Sequence, residues 1–375
     1  MTESNAVGGN ALARISATGV SVWLDDLSRN ELEDGTLAGL IAERHVVGVT
    51  TNPTIFAKAV SEGNAYDAQL TRLGGAGSPV DDAVLEVTTD DVRSACDLFA
   101  PLYEATGGQD GRVSIEVDPR LAHDTEGTIA AASKLWQVVD RPNVMIKIPA
   151  TLEGLPAITE AIGAGISVNV TLIFSLDRYR AVAQAYVDGL ERADAAGIDL
   201  STIRSVASLF LSRIDAKVDA ALDEIGGAEA AALRGKAAVA NARLAYEIHE
   251  EIFATPRFAS LEGAHAQRPL WASTGTKDPS FADTKYVDEL VTSGVVSTMP
   301  RTTLEAVADH SPATGEDVVR GSYDEARETL DAITRLGVPF EQILADLESA
   351  GVSSFEKSWA ELLDTVTAGM REQAG

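Results

Sequence analysis

The feature that most constrains this chain is a repeated alternation between short apolar runs and longer stretches with helical spacing. Runs rich in β-branched residues predict strands, and apolar residues about 3.6 positions apart predict helices. Such an alternation implies parallel strands joined by right-handed crossovers. The predicted strands are Val20–Asp25, Val46–Asn52, Arg112–Asp118, Asn143–Pro149, Ile166–Phe174, Ser205–Ser212, Pro269–Thr274 and Gly294–Met299. The predicted helices are Leu70–Gly107, Asp124–Val139, Leu176–Ala195, Ile214–Ala254 and Ala282–Thr292.

The number of strands favours a closed barrel. Eight strand–helix units predict an α/β fold of the (β/α)8 TIM-barrel type, with a doubly wound open sheet as the alternative. Neither a repeat period nor a Pro/Ser-rich linker divides the sequence, so one barrel domain over residues 1–375 is predicted. The tail, residues 302–375, contains no predicted strand. It is expected to pack on the barrel as three helices, the last near Ser354–Met370.

Charge and cysteine content limit the partners and the environment of the chain. A formal net charge of −27 repels nucleic-acid phosphates and anionic lipid, so neither partner is expected. The one cysteine, Cys96, cannot form an internal disulfide and is expected to be a small buried hydrophobe. No run of about 18 apolar residues predicts a membrane span. The segment Met1–Leu12 has no apolar signal core, so a cytoplasmic protein is expected.

Polar side chains interrupt strands that should be almost entirely apolar in a parallel sheet. Most lie in the C-terminal half of their strand, the end at which barrels build active sites. Each alone has a structural interpretation, because an Asp or Asn often caps the next helix and a Thr is often β-branched filler. Burying so many without partners would cost a few kcal/mol each, so a polar site is predicted. These residues are Asp25, Asn52, Glu116, Lys147, Asn169, Thr171, Ser208 and Ser273, with Arg213 just after its strand.

Lys147 stands out because it lies in the apolar run VMIKIPA. Its structural interpretation is an ion pair with Glu116 or Asp25. Its functional interpretation is an amine nucleophile, since desolvation lowers a lysine pKa from about 10.4 and frees the lone pair. Neighbouring carboxylates oppose that shift, and both interpretations stay open.

Other chemistries are disfavoured, and one anion site is suggested. The five histidines show no metal-ligand spacing, and no GxxxxGK[ST] or GxGxxG motif is present, so neither a metal nor a nucleotide loop is expected. Barrels often bind phosphate with the loops after strands seven and eight. The stretch STGTKDP, Ser273–Pro279, and Arg213 are the candidates, although Arg213 has a possible ion-pair partner in Asp215.

Five segments carry a resemblance to a known family over Asp25 to about Pro300. They are GVTTNPTIF (Gly48–Phe56), SIEVDPRLAHD (Ser114–Asp124), VMIKIPAT (Val144–Thr151), ISVNVTLIFS (Ile166–Ser175) and ASLFLSRID (Ala207–Asp215). These segments resemble transaldolases, and WASTGTKDP resembles the longer, actinobacterial branch. The resemblance implies a cofactor-free enzyme of the pentose phosphate pathway. It would transfer dihydroxyacetone from sedoheptulose 7-phosphate to glyceraldehyde 3-phosphate, giving erythrose 4-phosphate and fructose 6-phosphate.

The resemblance also implies residue roles. Lys147 would form a Schiff base with the donor ketose, and Asp25 would be the acid/base at the C4 hydroxyl. Glu116 and Thr171 would hold a catalytic water. Substrate hydroxyls would be bound by Asn52, Asn169 and Ser208, and the phosphate by Arg213, Ser273 and Lys277, where short members carry an arginine.

Phe210 has the same strand parity as Ser208, so its ring is expected to face the barrel interior. It would be either core packing or a determinant of transfer over simple cleavage. A fructose 6-phosphate aldolase, the alternative, would carry Tyr at position 210 and Gln at position 116. A non-catalytic sugar-phosphate-binding barrel and a phosphate-binding isomerase are further alternatives. Sugar phosphates are the expected partners, and the state is a monomer or a homodimer.

Overall fold

A computed structural model describes residues 10–372, in which eight parallel strands close into one barrel. Each strand pairs with its neighbours in sequence, and the first pairs with the last. The predicted barrel is therefore confirmed, and the open sheet is excluded. The strands are β1 Val20–Leu24, β2 Val46–Thr50, β3 Arg112–Glu116, β4 Val144–Pro149, β5 Val168–Ile173, β6 Ser205–Phe210, β7 Arg268–Ala272 and β8 Val295–Met299.

Helices surround the barrel and cover its ends. They are α1 Ala11–Thr18, α2 Arg29–Glu33, α3 Thr36–Glu43, α4 Pro53–Ser61, α5 Asp67–Gly75, α6 Val80–Ala105, α7 Thr125–Val139, α8 Gly154–Gly163, α9 Leu176–Ala195, α10 Ser212–Ile225, α11 Gly227–Leu233, α12 Ala237–Phe253, α13 Pro256–Ala259, α14 Lys285–Asp288, α15 Arg301–His310, α16 Tyr323–Arg335 and α17 Phe340–Glu372. Two 3-10 turns lie at Pro119–Leu121 and Leu200–Thr202.

Two long predicted helices are divided in the structure. Within Leu70–Gly107, Gly77 takes φ +65° and Pro79 precedes α6, so the chain turns between α5 and α6. Within Ile214–Ala254, Gly226 takes φ +70° after the last residue of α10, and two more helices follow. Apolar spacing continues across both breaks because all the pieces bury a face on the same barrel, which is why periodicity alone missed them.

A third predicted helix, Ala282–Thr292, is mostly irregular and retains only the short α14. Its apolar residues Tyr286, Val287, Leu290 and Val291 are nevertheless buried. An irregular segment between β7 and β8 therefore buries these side chains without forming a long helix.

The tail contains three helices, as predicted, and no strand in its described part, residues 302–372. The last, α17, is much longer than the predicted Ser354–Met370. It lies over the carboxyl ends of the strands, where a Cβ added to Gly351 would lie 2.9 Å from Leu172 Cδ2 on β5. The Thr54 hydroxyl of α4 lies 2.7 Å from that of Ser358. Helix α17 therefore covers the end of the barrel at which the strands finish.

The largest fully buried side chains are those of Trp23 and Trp271, and Cys96 is buried on α6 and unpaired, as expected. Among residues 10–372 no helix is long and apolar enough to cross a membrane. Most of Met1–Leu12, which was predicted to carry no signal core, lies outside the described residues.

Candidate active site

A cavity of about 250 Å³ opens at the carboxyl ends of the strands, below α17. Most of the residues singled out in the sequence line it together, although they come from six strands and the loops that follow. These are Asp25, Asn52, Lys147, Thr171, Ser208, Phe210, Arg213, Ser273 and Lys277. These nine side chains therefore lie together at one mouth, whereas Glu116 and Asn169 do not line this cavity.

Lys147 lies on the cavity wall with only 5% of its surface exposed. Its Nζ lies 3.1 Å from Glu116 Oε2 and donates a hydrogen bond to the Thr51 carbonyl at 3.1 Å. The register of the barrel sets this contact, because Glu116 of β3 is the ladder partner of Lys147 on β4. The ring of Phe355, from α17, lies 5.5 Å above the ammonium. The ion pair predicted as the structural interpretation is thus present, and the amine also faces the cavity.

Asp25 follows β1 directly, and its backbone N–H donates to the Met299 carbonyl at 2.8 Å. Its carboxylate accepts a hydrogen bond from Thr50 at 2.8 Å, and Thr50 in turn lies 2.8 Å from the Thr298 hydroxyl. Burial raises the pKa of the Asp25 carboxyl, and the charge of Lys147 opposes the rise. The two threonines were not singled out in the sequence, since a strand threonine is equally good as packing.

Glu116 is buried, and burial raises the pKa of its carboxyl while Lys147 lowers it. It faces a second, largely apolar cavity of about 200 Å³ that also reaches Trp359 of α17. Its Oε2 meets the ammonium at an ion-pair distance but outside hydrogen-bond geometry. The buried Thr171 hydroxyl likewise has no hydrogen-bond partner among the residues described. Two polar groups beside the amine therefore retain unused hydrogen-bonding capacity.

Asn169 lies below the cavity rather than on its wall, and it is fully buried. Its amide donates to the Ser114 hydroxyl at 3.0 Å, and its Oδ1 accepts from Ser208 at 2.7 Å. Asn52 does line the cavity, while its Oδ1 accepts from the backbone N–H of Ile55 at 3.0 Å and caps α4. Both asparagines thus make structural hydrogen bonds within the site.

Arg213, in the first turn of α10, is half-buried, and its guanidinium lies 5.5 Å from the Phe210 ring. Burial lowers its pKa, and no carboxylate of residues 10–372 lies within 4.0 Å of it. The suggested partner Asp215 is wrong: that carboxylate is buried and accepts from the Ala238 N–H at 2.8 Å and the Tyr286 hydroxyl at 2.9 Å. Arg213 therefore presents an unpaired positive charge to the cavity.

The loop after β7 completes this side of the mouth. Ser273 takes a left-handed φ of +55°, an unfavourable conformation for a residue with a Cβ, and its Oγ lies 2.8 Å from that of Ser212. Strain of this kind costs of order 1–3 kcal/mol and clusters at functional sites. Lys277 is exposed at the rim. Arg213, Ser273 and Lys277 thus follow the neighbouring strands β6 and β7, whereas Asp25 follows β1 and Glu116 lies on β3.

Phe210 faces the interior with Ser208, as its parity predicted, and its ring lies 5.4 Å from that of Phe174. Phe355 of α17 is, with Thr50 and Thr298, a site residue that sequence reasoning missed. Nothing in a helical tail indicates which of its side chains meets a barrel mouth. In the described part of the chain, no three His, Cys, Asp or Glu side chains are placed to hold a metal ion. The arrangement combines a buried amine, the buried Glu116 carboxyl, the half-buried Asp25 carboxyl and a free guanidinium, which suits carbonyl chemistry on an anionic substrate.

Comparison with known proteins agrees with this chemistry. A family model described as Transaldolase/Fructose-6-phosphate aldolase matches residues 22–366. A protein named Transaldolase from Thermobifida fusca is 61% identical over 360 residues, covering 96% of this chain and 98% of that protein. Transaldolase 1 from Streptomyces avermitilis is 59% identical over 373 residues, covering 99% of this chain and 98% of that protein. A Transaldolase from Mycolicibacterium smegmatis is 59% identical over 365 residues, covering 97% and 98%. This chain therefore belongs to the transaldolase/fructose-6-phosphate aldolase family.

Proposed function

We propose that this protein catalyses the transaldolase reaction. It moves a dihydroxyacetone unit reversibly from sedoheptulose 7-phosphate to glyceraldehyde 3-phosphate, giving erythrose 4-phosphate and fructose 6-phosphate. The observation that carries the proposal is one buried lysine at the barrel mouth, in ion-pair contact with Glu116 and sharing its cavity with Asp25 and the unpaired Arg213. The family membership of the chain supports the same reaction.

The first step is imine formation at Lys147. Transfer of its proton to Glu116, 3.1 Å away, leaves two neutral groups, and burial favours that state because it raises the pKa of the Glu116 carboxyl. The neutral amine attacks the ketone carbon of the donor. Glu116 then returns the proton to the carbinolamine hydroxyl, which leaves as water, and a protonated imine remains beside the carboxylate.

The second step is cleavage, with Asp25 as the base. Asp25 takes the proton of the C4 hydroxyl while the C3–C4 bond breaks, and the electron pair of that bond moves toward the imine nitrogen. The aldehyde product leaves, and a neutral three-carbon enamine stays on Lys147. An acceptor aldehyde is then attacked by the enamine carbon, and Asp25 gives its proton to the new alkoxide. Hydrolysis of the imine releases the product.

The remaining polar residues bind and orient. The free hydrogen-bonding capacity of Thr171 and Glu116 suits a water molecule that relays protons during dehydration. Asn52 and Ser208 face the cavity and would bind substrate hydroxyls, with Asn169 acting through its hydrogen bond to Ser208. Arg213, Ser273 and Lys277 would hold the phosphate, because a guanidinium forms charge-assisted hydrogen bonds with phosphate oxygens.

A fructose 6-phosphate aldolase is the nearest alternative, since the family includes both activities in its name. Phe210 and Glu116 favour transfer over cleavage, because the aldolase type would carry Tyr and Gln there. The phenyl ring of Phe210 adds no proton donor beside the enamine. A non-catalytic binding barrel is disfavoured because Lys147, Asp25 and Glu116 are all present. A phosphate-binding isomerase would lack any cleavage of fructose 6-phosphate.

The setting follows from the proposed reaction. Sugar phosphates are the proposed partners, with no nucleic acid and no membrane. No cofactor is needed, because the protonated imine itself accepts the electron pair. We also propose a cytoplasmic enzyme of the pentose phosphate pathway, built as a single barrel domain and working as a monomer or a homodimer.

Reductive trapping tests the proposal. Borohydride added with fructose 6-phosphate should attach a reduced three-carbon unit to Lys147, detectable by peptide mass spectrometry. Lys147→Met should abolish both the label and the transfer of dihydroxyacetone to erythrose 4-phosphate. Lys134→Met, which changes an exposed lysine of the neighbouring cavity, is the matched control. A label on another lysine, or none, would refute the mechanism.

A further inference from the structure

A third cavity lies at the opposite end of the barrel, where the strands begin. Its volume is about 210 Å³, many times what one water molecule needs. Three arginines line it, each at or beside the first residue of a strand: Arg112 of β3, Arg204 before β6 and Arg268 of β7. The six residues of β6 place this cavity roughly 15–20 Å from the mouth, so it is separate from the proposed active site.

These arginines have little negative charge around them. Arg112 is 1% exposed, and its guanidinium donates to the Gly108 carbonyl and the Ser167 hydroxyl. The half-buried Arg204 donates to backbone carbonyls, including that of Gly107 at 3.1 Å. Only Arg268 meets an acid, Asp110, at 3.1 Å. Among residues 10–372, no other carboxylate lies within 4.0 Å of the three.

Such a concentration of positive charge is unusual in a chain with a formal net charge of −27. Exposed arginines elsewhere form ion pairs, such as Arg180 with Glu251 and Arg192 with Glu160. Burying a cation without a counter-charge is costly, and the cost is visible in the pKa of Arg112, which burial and its two arginine neighbours lower to about 10.

One of the histidines that line the cavity, His265, shows the same imbalance. The pKa of His265, on the exposed rim, is lowered by burial and by the charges of Arg204 and Arg112. Positive charge therefore converges on this cavity, with a single carboxylate within 4.0 Å of the arginines to balance it.

We propose that this cavity is a second anion site, which binds a small phosphate group, either inorganic phosphate or a phosphate monoester. Guanidinium groups match the geometry of phosphate oxygens, and each of the three arginines has N–H groups beyond those that donate to backbone or side-chain acceptors in the protein. The bound dianion balances the arginine charges, locks the amino ends of β3, β6 and β7 together and stabilises the fold. The site differs in place and residues from the phosphate side of the mouth.

Calorimetric titration with inorganic phosphate tests the proposal. The Arg213→Gln/Lys277→Gln protein, in which the mouth is weakened, should still bind one phosphate. Adding Arg204→Gln should weaken that binding about tenfold, the loss of one charge-assisted contact. Arg204 is the residue to change because its acceptors are backbone carbonyls, so the fold is retained. Adding Arg192→Gln instead removes an equal charge from the surface and should change nothing.

Two further measurements identify the ligand and its place. Phosphate should raise the pKa of His265 in an NMR titration, because a nearby dianion favours the imidazolium. A phosphate monoester without a carbonyl group, such as glycerol 1-phosphate, cannot form an imine at Lys147. If it binds more tightly than inorganic phosphate, the ligand is a monoester, and equal or weaker binding would identify the free ion. Loss of all phosphate binding in the mouth variant, or equal binding with and without Arg204→Gln, would overturn the proposal. The proposed transaldolase reaction is tested on the unchanged protein by trapping at Lys147, so failure of one proposal does not imply failure of the other.

Discussion

At the scale of single residues, the chemistry of the site depends on one lysine, Lys147, that lies close to two carboxyl groups, Glu116 and Asp25. Lys147 contacts Glu116, and its charge lowers the pKa of both Glu116 and Asp25 while burial raises both. Burial favours neutral groups, so the proton of the ammonium has a nearby acceptor. The same contact that stabilises the resting site can therefore release the nucleophile.

Asp25→Asn should separate imine formation from cleavage. The amide cannot take the C4 proton, so transfer should fall by about 10²–10⁴, the usual contribution of a general base. Lys147 remains intact, so borohydride should now trap the whole six-carbon donor instead of a three-carbon unit. Asp26→Asn, one residue further along the chain, is the control and should keep near-normal turnover. Equal turnover in Asp25→Asn would mean that another group moves the proton.

Arg213→Ala should act on binding of the phosphate. Its guanidinium has no carboxylate partner in the described structure, so its removal leaves no acid without an ion-pair partner. A charge-assisted hydrogen bond is worth roughly 1.5–3 kcal/mol, so KM for fructose 6-phosphate should rise about tenfold or more. KM for unphosphorylated dihydroxyacetone should hardly change. Steady-state kinetics with both donors decide the matter, and an equal loss for both would make Arg213 a structural residue.

At the scale of helices and strands, the barrel determines which side chains meet, and the last helix closes it. Helix α17 brings Phe355 to 5.5 Å from Lys147 Nζ and approaches β5 so closely that a side chain at Gly351 would press on Leu172. Leu172 itself takes a left-handed φ of +59°. The left-handed backbone at Leu172 and the missing side chain at Gly351 allow α17 to pack closely on β5. This close packing places the Phe355 ring beside the amine of Lys147.

Phe355→Ala should therefore alter the fate of the enamine. Without the ring, water reaches the three-carbon intermediate more easily, so release of free dihydroxyacetone should increase relative to transfer onto erythrose 4-phosphate. A buried Phe→Ala change costs about 3–5 kcal/mol of stability, so Phe355→Leu, which keeps apolar bulk, is measured in parallel and should show a smaller effect. Val352→Ala, a buried change on the same helix away from the cavity, is the control. An unchanged product ratio in folded Phe355→Ala would make the ring simple packing.

The elements differ in how far the sequence could predict them. The strands were predictable because a buried parallel strand is a run of β-branched residues, and Glu116 and Lys147 were conspicuous because a charge interrupts such a run. Thr50 and Thr298 were not, since a threonine is also ordinary strand packing. Phe355 could not be found at all, because the position of α17 depends on contacts with distant parts of the chain. Sequence patterns indicate which residues are buried locally, whereas the packing of α17 over the site depends on contacts between residues far apart in the chain.

At the scale of the whole molecule, acidic charge dominates, with 57 acidic against 30 basic side chains. Some of these acids are buried in the fold, and burial raises the pKa of Asp91, Glu116 and Asp215. An acid whose pKa is higher in the folded state binds more protons there than in the unfolded chain. Stability then falls as pH rises between the two pKa values, so these groups favour the folded state at mildly acidic pH.

Asp215 provides the sharpest test, because burial raises its pKa from 3.8 to about 6. In its ionised form the carboxylate accepts hydrogen bonds from the Ala238 N–H and the Tyr286 hydroxyl, yet these do not offset its desolvation. Asp215→Asn keeps the shape and one acceptor oxygen but removes the charge. Its free energy of unfolding, relative to the unchanged protein, should therefore rise by about 2–3 kcal/mol between about pH 4 and pH 7.

Urea titrations across that pH range measure the difference directly. Glu224→Gln, an exposed acid of the same helix α10, removes an equal charge without the burial and is the matched control. General relief of the acidic self-repulsion would appear in both variants alike, because both lower the net charge by one. A pH-dependent gain confined to Asp215→Asn assigns the effect to the buried carboxyl. Parallel behaviour of the two variants would mean that the long-range charge of the molecule, and not desolvation at Asp215, sets its stability at neutral pH.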